Sequence, residues 1–223
     1  RAGFCLTVCF PLPDADAVRE ALKKLDLFVV SENVASNDTV AAGAHVLLPA
    51  QAWGEKSGTV TNSERRISRQ RAFLGSPGEA RPDWWIMGEV AKRLGFGAAF
   101  GFTSAADIFR EHAALSAFEN NGARDFDIGA LTSLSDEAFD VMAPVQWPIR
   151  QGAEPQPRFF AEGGFFANDF KARFIAPEIP VLRTETTAAR PLLLNTGRIR
   201  DQWHTMTRTG MSPRLGQHLP EPF

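Results

Sequence analysis

The sequence predicts an α/β fold, a mostly parallel sheet flanked by helices. Three short apolar runs, at residues 4–10, 27–30 and 45–48, have the length of buried strands. Helical spacing or helix-forming residues separate them, and this alternation of strand and helix is typical of a parallel sheet with crossover connections. The composition, 44% hydrophobic and 22% charged, is that of a globular chain with a core.

The first elements follow from local signals. Pro11 and Pro13 end the first strand, and Asp14 is placed to cap a helix over residues 15–25. Residues 39–44 are small and are predicted to form a short helix. Pro49 ends the third strand.

Polar residues follow two of these strands. Ser31 and Glu32 come directly after the second strand, and residues 53–66 after the third contain two glycines, Lys56, two arginines and several Thr, Asn and Ser side chains. Because ligands bind outside the carboxyl ends of strands in such sheets, we expect a ligand site at this edge.

A local basic cluster comprises Arg65, Arg66, Arg69 and Arg71. It fits either a solvated strand face or a contact surface for phosphate or an acidic partner. The net charge of −2 and the lack of interleaved aromatic residues argue against nucleic acid. The chain also has no apolar run of the roughly 18 residues that a membrane span requires.

The middle of the chain is predicted to be helical. Pro82 opens a helix ending at Gly95, and Asp83 in its first turn either complements the helix dipole or accepts hydrogen bonds from a ligand such as guanine. The glycine-rich stretch 95–101 follows a helix, so it is interpreted as a helix stop and turn, not as a phosphate loop. Further helices are expected at residues 104–118 and 135–142.

The second half of the sequence is less regular. Residues 143–158 are predicted to be an extended connector, Phe159-Phe160 and Phe165-Phe166 to form a hairpin, and residues 178–190 to be a polar linker. We therefore expect an α/β domain at 1–142, a connector with hairpin at 143–190 and a new domain from 191 to 223. Both ends look like cuts in a longer chain.

The stretch NTGRIRDQWHTMTRTG, residues 195–210, gathers Arg, His and Thr donors just after an apolar run. Together with SERRISRQR, PGEARPDWWIMGEVAKRLG and APVQWPI, it resembles the large subunit of molybdopterin-dependent oxidoreductases of the dimethyl sulfoxide reductase family. Within that family it is most similar to cytoplasmic assimilatory nitrate reductases of bacteria. The resemblance implies that residues 191–223 begin a β-barrel cofactor-binding domain.

The resemblance also implies a cofactor. Such enzymes carry molybdenum between two molybdopterin guanine dinucleotides. They also carry a 4Fe-4S cluster, but Cys5 and Cys9 do not match the cysteine motif that binds it. The full subunit would reduce nitrate with electrons from a donor protein or subunit, in the cytoplasm. The resemblance assigns no catalytic residue or metal ligand to this chain, which is expected to be inactive by itself.

Cofactor contacts are implied at two groups of positions. The first contains Ser31, Glu32, Lys56 and Asp83. The second is the continuous stretch Thr196, Gly197, Arg198, Ile199, Arg200, Asp201, Gln202, Trp203, His204 and Thr205. Two alternatives stay open: another molybdopterin oxidoreductase, such as a formate dehydrogenase, and a non-catalytic module that binds anions through Arg65–Arg71.

Overall fold

The computed structural model describes residues 2–5, 14–154, 158–161, 163–179, 181, 185–193, 197, 202–203, 206 and 209–217. The chain divides into two compact units, Arg1–Arg173 and Phe174–Phe223. The first unit contains both sheets and most of the helices, and the predicted site residues up to Asp83 belong to it.

The first sheet confirms the predicted α/β architecture. Strands β1 (Ala2–Cys5), β2 (Leu27–Glu32) and β3 (Val46–Pro49) are all parallel and lie in the order β1-β2-β3. Helices α1 (Ala15–Leu22) and α2 (Asp38–Ala41) form the two connections. Right-handed crossovers in this order place both helices on the same face of the sheet.

The core of this sheet is small and aliphatic apart from one ring. Phe28 and Val30 of β2 are 1% exposed and pack with Ala42 and, less deeply, with Leu22 and Leu25. Because Phe28 and Val30 lie on the same face of β2, their burial against the two helical connections stabilises this arrangement of strand and helices.

Several boundaries differ from the sequence-based prediction. Strand β2 continues through Ser31 and Glu32, and α1 ends at Leu22, not at residue 25. The Asp14 side chain makes no capping hydrogen bond, whereas Asn37 caps α2 by accepting the Val40 N–H at 2.9 Å.

A second sheet was not predicted. Strands β4 (Gly58–Thr61), β5 (Arg66–Gln70) and β6 (Val145–Gln146) are antiparallel, in the order β4-β5-β6. Much of residues 53–66, which were expected to form a ligand loop, is therefore part of the β4–β5 hairpin. Residues 143–158, which were expected to form a connector, supply the third strand of this sheet, β6. The Asn62 carboxamide oxygen stabilises the hairpin turn by accepting the N–H groups of Glu64 and Arg66, each at 3.0 Å.

Three helices complete the first unit. They are α3 (Asp83–Ala91), which continues into a π-helical turn at Lys92–Phe96, α4 (Ala105–Ala117) and α5 (Asp136–Asp140). Pro82 is the residue before α3 and not its first helical residue. Gly95, where the helix was predicted to end, has a φ of 93° and interrupts the helical geometry, although the π-helical turn extends to Phe96.

The larger core lies between the second sheet, α4 and α5. Its buried members are Ile67, Ala106, Phe109, Ala113, Ile128 and Phe139. Three of them belong to α4, so the amphipathic face of this helix fixes the hairpin and α5 around it.

The predicted phenylalanine hairpin is wrong. Residues 158–161 and 163–170 contain no strand. Instead, the rings of Phe160 and Phe165 stack at 4.5 Å, and the Phe165 N–H donates to the Phe170 carbonyl at 3.2 Å. The rings of the two phenylalanine pairs, 159–160 and 165–166, thus pack against one another and do not belong to paired strands.

The second unit has little regular structure in its described part. It contains an isolated bridge between Thr187 and Arg190, a 3-10 turn at Thr209–Met211 and helix α6 (Pro213–Gly216). Its described residues form no closed barrel.

Across the part of the chain that the structure describes, no helix combines the length and apolar character that crossing a bilayer requires.

The N-terminus of α4 gives a pH-dependent contribution to stability. Ser104 accepts the Asp107 N–H, and the Asp107 carboxylate accepts the N–H groups of Thr103 and Ser104. Hydrogen bonds from the Thr103 hydroxyl and amide, together with Arg110, hold the pKa of Asp107 well below its usual range. A lowered pKa means that the stabilisation is fully present above the unfolded pKa, near 4, and is lost as the pH falls.

Asp107→Asn is therefore expected to lower the free energy of unfolding by about 1–2 kcal/mol at pH 7, the usual value of such caps. The difference from the parent chain should shrink as the pH falls below about 4, since the parent carboxylate is then protonated. Thermal unfolding between pH 2.5 and 7 measures both effects. Asp16→Asn is the control, because that side chain is 94% exposed; an equal loss in both variants would contradict the role of the cap.

Candidate functional site

The carboxyl edge of the first sheet brings distant parts of the chain together. The Ala50 N–H donates to the Glu32 carbonyl at 3.1 Å, which continues the pairing of β2 and β3. Arg81 then lies parallel beside Ala50: its N–H donates to the Pro49 carbonyl at 3.1 Å, and its carbonyl accepts the Gln51 N–H at 2.9 Å. Arg81 thus extends the sheet by one residue, and Asp83 follows at the same edge as Glu32.

Ser31 and Glu32 are buried at this edge. Ser31 is 1% exposed and Glu32 is 7% exposed. The Glu32 carboxylate accepts the Asn33 N–H at 2.8 Å, whereas the Ser31 hydroxyl has no hydrogen-bond partner among the described residues. A buried hydroxyl without a partner costs about 1–3 kcal/mol, so such groups commonly mark a functional position.

Lys56 and Asp83 contact each other directly. The Lys56 ammonium lies 2.6 Å from Asp83 Oδ2, and the two side chains are 33% and 44% exposed. Asp83 is the first residue of α3, where the helix dipole favours a carboxylate. Two of the predicted site residues, 27 positions apart, therefore form one partly exposed ion pair.

The turn that carries Lys56 is held from several sides. A 3-10 turn at Trp53–Glu55 precedes Lys56, and the Glu55 carboxylate accepts the Ala52 N–H at 2.8 Å. The Gln70 side-chain amide donates to the Trp53 carbonyl at 2.6 Å and, at 3.4 Å, to the carbonyl of Lys56. Gln70 was not among the predicted residues, because nothing in its sequence surroundings indicates that it reaches back from β5.

Close packing adds to these hydrogen bonds. The Gly54 carbonyl accepts the N–H groups of Phe73 and Leu74, and a Cβ at Gly54 would lie 2.8 Å from Phe73 Cζ. Any larger residue at position 54 would therefore push the aromatic ring away and shift the turn.

An open cleft of about 320 Å³ adjoins the residues that follow the ion pair. Ser57 and Trp84, the neighbours of Lys56 and Asp83 in sequence, both line it. The other lining residues are Arg69, Ser104 and residues of α4 and α5, among them Phe139. The cleft gives a ligand near the pair an aromatic and hydroxyl-bearing wall.

The basic cluster is not a continuous surface. The Arg69 side chain is only 6% exposed, donates to Asp140 Oδ1 at 2.8 Å and to the Gly58 carbonyl at 2.9 Å, and lies over the Phe139 ring. The Arg65 guanidinium lies over the rings of Trp147 and Phe159.

Arg71 donates to the Asp140 carbonyl, and Arg66 is exposed. The interpretation of the four arginines as one solvated strand face is therefore wrong, because three of them are engaged within the chain. For the same reason the structure gives little support to an anion-binding module built on them.

The second predicted group is only partly described. Thr196, Arg198, Ile199, Arg200, Asp201, His204 and Thr205 lie outside the described residues, whereas Gly197, Gln202 and Trp203 lie within them. Gln202 is 8% exposed, and the Trp203 N–H donates to the Thr209 hydroxyl at 2.9 Å. The role of this stretch stays a prediction.

These features define a class of protein: an α/β module whose parallel sheet presents a buried hydroxyl, a cation and a carboxylate at its carboxyl edge, as nucleotide-binding sheets do. Residues 7–93, which include all four candidate positions of the first group, match the molybdopterin oxidoreductase family.

Relatives extend the similarity over nearly the whole chain. The chain is 54% identical over 211 residues to a nitrate reductase of Klebsiella oxytoca. This alignment covers 95% of this chain and 24% of that protein. It is 33% identical over 221 residues to the assimilatory nitrate reductase catalytic subunit of Bacillus subtilis. This alignment covers 98% of this chain and 30% of that subunit.

A formate dehydrogenase alpha subunit of Methanococcus maripaludis is 32% identical over 210 residues, covering 94% of this chain and 29% of that subunit. The chain thus spans between 24% and 30% of the length of these three relatives.

Proposed function

We propose that this chain is the part of a molybdenum-dependent nitrate reductase that holds molybdopterin guanine dinucleotide, and that the full subunit reduces nitrate to nitrite. The family match and the relatives named nitrate reductase support the enzyme class. The observation that carries the cofactor assignment is the Lys56–Asp83 pair, 2.6 Å apart at the sheet edge that also contains Ser31.

The donor set fits such a cofactor. Lys56 supplies a mobile cation suited to a pyrophosphate, and the Asp83 carboxylate can accept the N1–H and amino group of guanine. The Ser31 hydroxyl, which has no partner within the described part of the chain, offers one more hydrogen-bonding group at the same edge. The phosphates and the guanine base of such a cofactor therefore each find a matching group in the Lys56–Asp83 pair.

The residues of this chain bind and orient. When bound, the molybdenum cofactor supplies the two-electron chemistry that turns nitrate into nitrite and water. Lys56 offsets phosphate charge, and Asp83 selects a base that presents two donors. The Lys56 turn and the sheet fix the backbone positions from which both side chains act.

The remaining parts of the proposal concern the full subunit. Residues 196–205 would contact the pyrophosphate and pterin, and residues 191–223 would open the β-barrel domain that follows the α/β domain at 1–142 and the connector at 143–190. A 4Fe-4S cluster elsewhere in the subunit would receive electrons from a donor protein. The enzyme would work in the cytoplasm.

Asp83→Ala tests the cofactor assignment. Loss of a two-point, charge-assisted contact should weaken cofactor binding roughly tenfold or more. Molybdenum content and the guanosine monophosphate released on acid treatment, measured on full subunits loaded at limiting cofactor, should both fall. Asp16→Ala, at an exposed position in the first turn of α1, should leave both at the parent level. Unchanged occupancy in Asp83→Ala would count against the guanine role.

A formate dehydrogenase is the second candidate, favoured by the 32% identical relative of that name. The two candidates share the cofactor and differ in substrate. Assays of the full subunit with nitrate and a reduced dye, and with formate and an oxidised dye, separate them directly. If the subunit oxidises formate and does not reduce nitrate, the proposed enzyme is a formate dehydrogenase and not a nitrate reductase. The assignment of the cofactor site would be unchanged.

A further inference from the structure

The Lys56–Asp83 pair places a cation where the guanine edge is proposed to bind. Asp83 Oδ2 lies 2.6 Å from the Lys56 ammonium. A two-point contact to guanine uses both carboxylate oxygens, and the guanine N–H groups carry the positive ends of their dipoles. The ammonium therefore competes with the base, both for a lone pair and through charge.

We propose that Lys56 is an exchangeable cap on Asp83. When a guanine nucleotide binds, the ammonium moves from the carboxylate to the phosphates, and the guanine edge takes its place on Asp83. This inference rests on the proposed function, because it assumes that Asp83 accepts guanine.

The exchange requires movement of side chains only. The Lys56 turn is held by Gln70 and Glu55, and the position of Asp83 is set by the pairing of Arg81 with Ala50. Lysine has a flexible four-carbon stem and a compact charge, so its ammonium can change partners while its backbone stays in place.

The charges favour exchange over simple loss of the pair. The two side chains are 33% and 44% exposed, so water screens their attraction and the pair is weak. A phosphate gives the departing ammonium a new and stronger partner, and guanine donors compensate the released carboxylate. A guanine nucleoside without phosphate must displace the ammonium without offering it any partner.

This reasoning predicts opposite effects of one substitution on two ligands. In Lys56→Met, guanosine should bind about threefold more tightly than to the parent, because Asp83 is no longer capped. Guanosine diphosphate should bind at least about threefold more weakly, because the cation for its phosphates is gone. A variant that is merely misfolded would lose both ligands.

Calorimetric titration of the full subunit, prepared without cofactor, measures these affinities for guanosine, guanosine diphosphate and adenosine diphosphate. Lys92→Met is the matched control, since Lys92 pairs with Glu89 at the far end of α3. It should leave all three affinities unchanged, and adenosine diphosphate should bind more weakly than guanosine diphosphate to the parent.

The outcomes separate the exchange from the proposed function. If Lys56→Met weakens both guanine ligands, or changes neither, the exchange is overturned, while a loss of guanosine diphosphate binding in Asp83→Ala would still support the guanine site. If Asp83→Ala binds guanosine diphosphate as the parent does, or if the parent binds no guanine ligand, the guanine site and the exchange are both overturned.

Discussion

Arg69→Met is expected to lower the free energy of unfolding by about 1.5–3 kcal/mol, the range for hydrogen bonds that involve a charged group. The Arg69 side chain is 6% exposed and connects three elements: it donates to the Gly58 carbonyl in β4 and to Asp140 in α5, and it lies 4.3 Å from the centre of the Phe139 ring. Methionine fills much of the space but leaves the carbonyl and carboxylate without this donor.

Arg66→Met provides a control within the same strand. Arg66 is exposed, so its replacement should change the free energy of unfolding by no more than about 0.5 kcal/mol. Urea unfolding followed by tryptophan fluorescence measures both variants. Equal effects would contradict the role of Arg69 as the buried arginine that connects β4, β5 and α5.

The contrast between these two arginines shows what the sequence could not provide. Arg66 and Arg69 look equivalent in a basic run, and the partner that distinguishes them, Asp140, lies 71 residues further along the chain. The second sheet escaped prediction for a similar reason. Its third strand, Val145–Gln146, has only two residues and is defined by its pairing with β5.

The parallel sheet could be predicted because its signals are local. Each strand is an apolar run of four or more residues bounded by Pro or polar residues, and each connection is helical. The helix at Ala105–Ala117 was predicted to within a residue, since Ser104 carries its capping signal directly in the sequence.

The resemblance supplied candidate positions for the site, whereas their arrangement was not visible in the sequence. Ser31, Lys56 and Asp83 were each implied by resemblance to a family, with chemistry that suits a nucleotide. Their relation depends on the pairing of Arg81 with Ala50, which brings residues 31 positions apart to one edge and leaves no periodic pattern in the sequence. Gln70, which holds the Lys56 turn, was missed for the same reason.

Phe109→Ala is expected to have an effect of comparable size, about 3–5 kcal/mol, because it removes a large ring from a packed core. Phe109 is 5% exposed on the inner face of α4, and its ring centre lies 5.3 Å from that of Phe139. Phe118→Ala at the end of the same helix is the control; this ring is 64% exposed and should contribute little.

The two substitutions should also be coupled. Phe139 contacts both Phe109 and Arg69, so removing either neighbour lets its ring shift and weakens its contact with the remaining one. The double variant Arg69→Met/Phe109→Ala should therefore lose less than the sum of the single losses, by about 0.5–1 kcal/mol. Strict additivity would mean that α4 and the hairpin β4–β5 are stabilised independently. The Lys56 turn, which Gln70 ties to that hairpin, would then not depend on the packing of α4.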